Sequence, residues 1–309
     1  MKVEVIQASS CKNTGQEILT LVLEYPRCIH AQLLTHRVFS KNSSSSRAIP
    51  VSKMVDEVFA NPVDVMWTGK QAGMSGTDVT PAQVDKANTI MQKLRAASCA
   101  AAMDLDQIGI HKQNANRYLE PFQNIRVCLT STEWENWEWL RIDAEAQPEI
   151  TKLAELIKTA KDGAYYLPLD VGQWHVPFVH RSVDENTGEI KYLEATTGTE
   201  LTVDEAIRIS MSACAQTSYR KTDFSLEKAD DIYGKLFNGK KIHASPSEHQ
   251  ATPVPLLNSG EDSLLRFLGG LPEGVTHIDR FATPWSGNFR NFIQNRQLIP
   301  GHDKALFDE

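Results

Sequence analysis

Residues 17–25 carry Ile18, Leu19, Leu21, Val22 and Leu23 with Thr20 as the one polar break, and a run so nearly continuous in apolar side chains reads as a strand. Residues 1–9, with their β-branched alternation, read as the strand before it. The segment continues past Pro26 into the stretch 30–50, which opens apolar and β-like and then turns abruptly polar. Within twelve residues of Thr35 it presents His36, Arg37, Ser40, Asn42, four consecutive serines from Ser43 to Ser46, and Arg47, and Pro50 closes it. Guanidinium forks pair bidentately with phosphate oxygens, while loop hydroxyl and N–H groups supply further donors, so this composition suits a phosphate or a nucleotide. It also suits a solvated serine loop with incidental charges.

Further along, a short helix fits 51–59, ended by Asn61 and Pro62. Residues 63–80 are loop-like, with Gly69, Gly73 and Gly76. Trp67, Lys70 and Gln71 there suit a lid or ligand edge, or an ordered surface loop. Thr80 as N-cap and Pro81 as first helical residue start a long helix, whose Ala-rich part around Cys99 implies close packing against another helix. A second helical piece spans 111–119 and ends at Pro121, and a strand spans 125–131. Trp134, Trp137 and Trp139 mark an aromatic helix or helix–turn within 132–150, most of it core. A helix then runs to Lys161, ended by Gly163. Strands are expected over 164–167, 174–181 and 190–195, the last two as a hairpin across 184–188. Thr202 and Glu205 form a capping box for a helix to about Ala215. A last helix spans 225–237, before Asn238 and Gly239. His175 and His180 read as structural, since a metal site needs more convergent ligands.

A chain of 309 residues holds one large or two modest domains. Its net charge of −7 argues against nonspecific binding to nucleic acid or to an anionic membrane, so the arginines of the central stretch are a local feature of an acidic protein. Cys11, Cys28, Cys99, Cys128 and Cys214 are scattered without a CxxC pair, which argues against a disulfide framework or a zinc site and suits a reducing cytoplasm. No signal-peptide core and no run of membrane-spanning length is present.

The spacing H-R-x-x-S-x-N-x-x-S-x-R at His36, Arg37, Ser40, Asn42, Ser45 and Arg47 resembles the signature of flavin-dependent thymidylate synthases. There the motif begins R-H-R; here Thr35 stands first, Ser43 replaces the usual Glu, and Ala48 replaces Tyr. Gln32 matches a Gln that the family uses on the pyrimidine. Arg117, four residues before Pro121, matches an Arg that reaches the nucleotide. Asn136, Arg141, Asp143, Gln147, Glu149 and Ile150 follow the spacing of a further family segment. Thr130, Thr132 and Glu145 depart from its usual Asn, Arg and His. Residues 212–219 (SACAQTSY) and 243–249 (HASPSEH) resemble two more segments, with Gln216 in place of Arg and Ser247 in place of Phe. Both normally precede the R-H-R motif. Their position after it here resembles a permuted, bacteriophage-type branch. Residues 286–296 suit either a strand near the site or a subunit contact.

The resemblance implies an α/β fold, a mainly antiparallel sheet flanked by long helices. Residues 1–162 would carry the main motifs, and 163–309 would complete the same composite domain. It implies reductive methylation of dUMP with methylenetetrahydrofolate and NADPH as co-substrates and FAD as cofactor. Gln32, Ser43, Ser45, Arg47, Arg117 and Arg141 would bind dUMP. Arg141 and Ser45 would be the catalytic residues, Arg141 favouring the N3-deprotonated uracil and Ser45 positioning the base. His36, Arg37, Asn42, Asn136, Ser218, His243 and Ser245 would bind FAD. The assembly would be a homotetramer, in the cytoplasm or, for a viral protein, the host cytoplasm. Two other readings stay open: a flavin- and folate-dependent hydroxymethylase of dUMP or dCMP, and a nucleotide-binding protein without catalysis.

Overall fold

The computed structural model describes residues 1–72, 76–184, 187–218, 221–238, 242–255 and 270–303. In order these form β1 (Lys2–Cys11), β2 (Glu17–Pro26), α1 (His30–Leu34), β3 (Ser40–Ser43), α2 (Val51–Ala60), α3 (Pro81–Gln107), α4 (Lys112–Ala115) and β4 (Asn124–Ser131). Then follow α5 (Glu135–Arg141), α6 (Pro148–Asp162), β5 (Leu167–Leu169), β6 (His180–Val183), β7 (Ile190–Leu193), β8 (Glu200–Leu201), α7 (Val203–Ala215) and α8 (Leu226–Phe237). The chain closes with short strands β9 (Ala251–Pro253), β10 (His277–Ile278), β11 (Pro284–Ser286), β12 (Phe289–Arg290) and β13 (Phe292–Gln294). The protein is thus mixed α/β, with eight α-helices among the described residues.

The principal sheet has the order β3-β4-β2-β1-β5, antiparallel except for the β1–β5 pair. Its two faces differ because side chains alternate along a strand. On one face Leu19, Leu21, Leu23, Tyr25, Val127 and Leu129 meet Ile150, Leu153, Ala154 and Ile157 of α6, together with Phe39, Trp134 and Trp137. On the other, the row Gln7–Thr20–Thr130–Ser40 crosses four strands in register. Thr20, the polar break in the apolar run, is fully buried there, with Oγ1 2.7 Å from Thr130 Oγ1 and 2.8 Å from His175 Nε2. His175 Nδ1 lies 2.8 Å from Ser9 Oγ, so both ring nitrogens of this buried histidine are used within the fold. The C-terminal half covers this face through a second core that includes Trp174, Val176, Ile209, Phe289 and Phe292. A third, smaller core joins α2 to Cys99 and Ala102 of α3, which is the close packing expected of the Ala-rich stretch.

Several local expectations are corrected. The opening of 30–50 is helical rather than β-like: a 3-10 turn, Arg27–Ile29, leads into α1. Ile29 and Leu33, four apart, are both fully buried, so one helical face carries the apolar residues. The piece expected over 111–119 is α4 followed by a 3-10 segment, Asn116–Phe122, with Pro121 inside it. Residues 174–179 are not a strand beyond a bridge between His175 and Ala251. Phe178 has φ +71°, and the Gln7 side chain takes over the pairing, donating to Val179 O (3.1 Å) and accepting from Val176 N (2.6 Å). The strand expected over 164–167 falls at β5. The hairpin forms between β6 and β7, although residues 185 and 186 of its turn lie outside the described residues, as do Gly73, Tyr219 and Gly239. Trp139 is exposed, unlike Trp134 and Trp137. The capping boxes at Thr80 and Thr202 both form.

Candidate active site

Three groups of side chains lie along residues 30–50. The first surrounds Arg141, at the last turn of α5. Its Nε donates to His36 Nε2 at 3.0 Å, and its Nη2 donates to Thr35 Oγ1 at 3.2 Å and to the Gln32 carbonyl at 3.5 Å. Thr35 Oγ1 in turn donates to Gln32 O at 2.6 Å. Thr35, which stands where the resembled motif has its first Arg, therefore orients Arg141. His36 is buried between Phe39, stacked at 5.7 Å, and Trp137, edge-on at 4.8 Å. Burial first, then the Arg141 and Lys41 cations, push its pKa down to about 4, so the imidazole is neutral and accepts at Nε2. On the other side of α1, Gln32 Nε2 donates to Gln147 Oε1 (2.6 Å), and Gln147 Nε2 donates to Glu149 (2.9 Å). Glu149 also accepts from Met66 N (3.0 Å), which fastens the loop 63–80 beside this chain of amides; Trp67 Nε1 fastens it to Asn88 of α3 (2.8 Å).

A cavity of about 420 Å³ opens against this group, lined by Thr35, His36, Arg37, Glu133, Glu135, Asn136, Leu140 and Trp285. Three residues read from the sequence as flavin contacts, His36, Arg37 and Asn136, thus share one space. Glu133, Glu135 and Trp285 were not foreseen there. The Trp285 ring, the His36 ring and the exposed donors of Arg37 and Asn136 could take a planar heteroaromatic group.

The second group is the serine loop. Ser43 Oγ lies 3.4 Å from His30 Nε2, whose Nδ1 is 2.8 Å from Tyr25 OH. Burial, with Arg27 and Lys41 adding, pushes His30 down to about 4. The fully buried Asn116 donates to Ser46 O (2.7 Å) and Ile49 O (2.9 Å), and Lys112 Nζ donates to Ala48 O (3.0 Å). The helical segment carrying Arg117 is thereby clamped to the loop carrying Arg47. Both guanidinium groups are exposed, with no hydrogen-bond partner among the described residues. Ser45 Oγ accepts from Arg47 N at 3.3 Å, which closes the turn.

The third group joins the motif to the C-terminal half. Ser45 N donates to Ser218 Oγ at 2.8 Å, and Asn42 Nδ2 donates to the Cys214 carbonyl at 3.4 Å. Asn42 Oδ1 is buried and without a partner among the described residues, an acceptor that the chain alone does not satisfy. The 3-10 turn Ser245–Glu248 packs beside β3 and leaves Ser245 exposed. His243 is exposed at the end of α8, where its N–H donates to Leu236 O (3.0 Å), and no bond joins it to the motif. Residues 286–296 reach β3: Asn288 Nδ2 donates to Val38 O (3.0 Å) and Gln294 Nε2 to Ser40 Oγ (3.2 Å). Within the chain, the segment thus lies beside the strand that carries Asn42. No helix among the described residues is long and apolar enough to cross a membrane.

No family model matches the chain, and no curated protein matches it. Solved structures that overlap part of it include two of one methylase. One is the UMP/dUMP methylase PolB from Streptomyces cacaoi bound with 5-Br dUMP, 15% identical over 52% of this chain and 89% of that one, with a TM-score of 0.43. The other is the same methylase bound with 5-Br UMP, at 14% identity over 52% and 88%, with a TM-score of 0.42. At TM-scores this low the overlap leaves fold and activity to be argued from the residues.

Proposed function

We propose that this chain is a pyrimidine-nucleotide enzyme of the flavin-dependent thymidylate synthase type, acting on dUMP with methylenetetrahydrofolate and NADPH. The observation that carries the reading is the convergence of Gln32, Thr35 and His36 on Arg141. A buried neutral histidine, a hydroxyl and a carbonyl hold one guanidinium in place, as a site that must polarise a base edge requires. Arg141 then lies along the uracil edge, where its charge favours the N3-deprotonated base. Gln32 fixes the pyrimidine orientation. Arg47 and Arg117, on two segments held together by Asn116, take the phosphate, and Ser43 and Ser45 add donors.

FAD, if bound, would be held by His36, Arg37 and Asn136 at the cavity they line, with Asn42, Ser218 and Ser245 as further polar contacts. Reduced flavin, when bound, supplies the hydride. A homotetramer is the proposed form of the assembly. The meeting of Ser45 with Ser218, 173 residues apart, supports the permuted order of motifs.

The reading is tested by titrating dUMP and deoxyuridine into protein reconstituted with FAD. Tight binding of dUMP that weakens roughly tenfold or more without the phosphate supports it. Equal binding of both, or no retained flavin, overturns it.

A further inference from the structure

The polar face of the sheet holds a cluster that the nucleotide site does not use. Cys128 on β4, Cys214 on α7 and His249 after the turn Ser245–Glu248 are all buried, and their donor atoms lie within 4.8 Å of one another. Cys128 Sγ is 3.9 Å from Cys214 Sγ and 3.8 Å from His249 Nδ1. In a tetrahedral zinc site, bond lengths of about 2.3 Å to sulfur and about 2.0 Å to nitrogen set two sulfurs about 3.8 Å apart and sulfur and nitrogen about 3.6 Å apart. The two separations from Cys128 already stand close to those values, and the third, Cys214 to His249, is within 4.8 Å. Thr130 Oγ1, 2.8 Å from the same His249 nitrogen, offers an oxygen beside them. His249 turns Nδ1 toward both Cys128 Sγ and Thr130 Oγ1, so Nδ1 is the nitrogen that would ligate. Two thiolates and a neutral imidazole around a divalent cation carry no net charge, which makes the cluster tolerable in a buried position.

We propose that Cys128, Cys214 and His249 bind one zinc ion, with the Thr130 hydroxyl or a water in the fourth position. Binding releases the two thiol protons to solvent. The ion ties β4 to α7 directly under the motif: Cys128 is the cross-strand partner of Asn42, the Cys214 carbonyl accepts from Asn42, and Ser218 follows four residues later. Its role is to hold the C-terminal half against the strand that carries the nucleotide loop. The scattered cysteine spacing hid this site, because its three ligands come from three separate elements.

The test is to express the chain in zinc-supplemented and, separately, cobalt-supplemented medium and to measure metal per chain by plasma mass spectrometry and the cobalt sample by absorption. About one metal ion per chain, a thiolate-to-cobalt charge-transfer band, and loss of both in Cys214→Ser but not in Cys28→Ser, which removes an exposed thiol outside the cluster, are expected. Wild-type protein holding under roughly a tenth of an ion per chain, with no cobalt–thiolate band, would overturn the proposal, and so would full metal content in a folded Cys214→Ser. The wild-type spectrum decides even if that variant does not fold.

Discussion

Arg141 Nε donates to His36 Nε2 across 3.0 Å, a bond that requires the imidazole to be neutral, because a protonated ring has no acceptor there. The two groups are coupled: burial, with the cation adding to it, holds the histidine uncharged, and the histidine holds the cation in place.

Replacing Arg141 with Ala removes one of the charges that depress His36. The His36 titration, followed by NMR, is expected to move up from about 4 toward the ordinary value. Under the proposed function, dUMP affinity falls roughly tenfold to a hundredfold. Arg141→Lys keeps the charge but cannot reproduce the planar fork, so it restores the low His36 value and only part of the affinity. An unmoved His36 titration in Arg141→Ala would contradict the coupling.

His36 and His30 both have folded-state values of about 4, below the unfolded value of 6.5. The fold therefore disfavours their protonated forms. Their contribution to stability is complete above about pH 6.5 and is lost as pH falls from there through about 4. Urea midpoints measured between pH 7.5 and 4 should drop over that window, and less steeply in His36→Gln. Equal slopes for the two proteins would remove His36 from the explanation.

Arg47 and Arg117 are exposed and bonded to nothing described, so Arg47→Ala and Arg117→Ala are expected to change stability by less than about 0.5 kcal/mol. Each should weaken dUMP roughly tenfold while leaving deoxyuridine unaffected. A variant that weakens both ligands equally would place its guanidinium away from the phosphate.

Asn116 serves the opposite purpose. Asn116→Ala leaves two loop carbonyls without their donor and is expected to cost about 1–3 kcal/mol in denaturant unfolding. Ser218→Ala should mainly speed hydrogen exchange at the Ser45 amide, which donates to Ser218 Oγ. Unchanged exchange there would mean that this bond does not hold the loop.

Much of the fold was legible because local chemistry and tertiary structure agree in it. The apolar run around Thr20, the Thr80 and Thr202 caps and the tryptophan-bearing helix each announce an element, and each forms. Thr20 was visible as a polar break, yet only the fold shows it bonded between His175 and Thr130. Where reading failed, a partner distant in sequence had replaced the local pattern: Gln7 satisfies the backbone around Val176 and Val179, and residues 174–179 have no ladder to form. The site was legible in part for the same reason. Fixed spacing singled out His36, Asn42, Ser45 and Arg47 as one stretch, and the fold brings Arg141 and Ser218 against it. Glu133, Trp285, Asn288 and Gln294 come from other segments, and no spacing within the motif points to them. His243 matched a spacing but lies at the end of α8, without a bond to the motif.

The most direct test of the proposed activity is the mass of the nucleotide formed when purified protein is incubated with FAD, NADPH, methylenetetrahydrofolate and dUMP. A product bearing a methyl group in place of hydrogen is the expected result, and it should vanish in Arg141→Ala. A hydroxymethyl product would keep the nucleotide and folate site but contradict reductive methylation. Unchanged dUMP together with colourless, flavin-free protein would contradict the account and leave a nucleotide-binding protein without this chemistry.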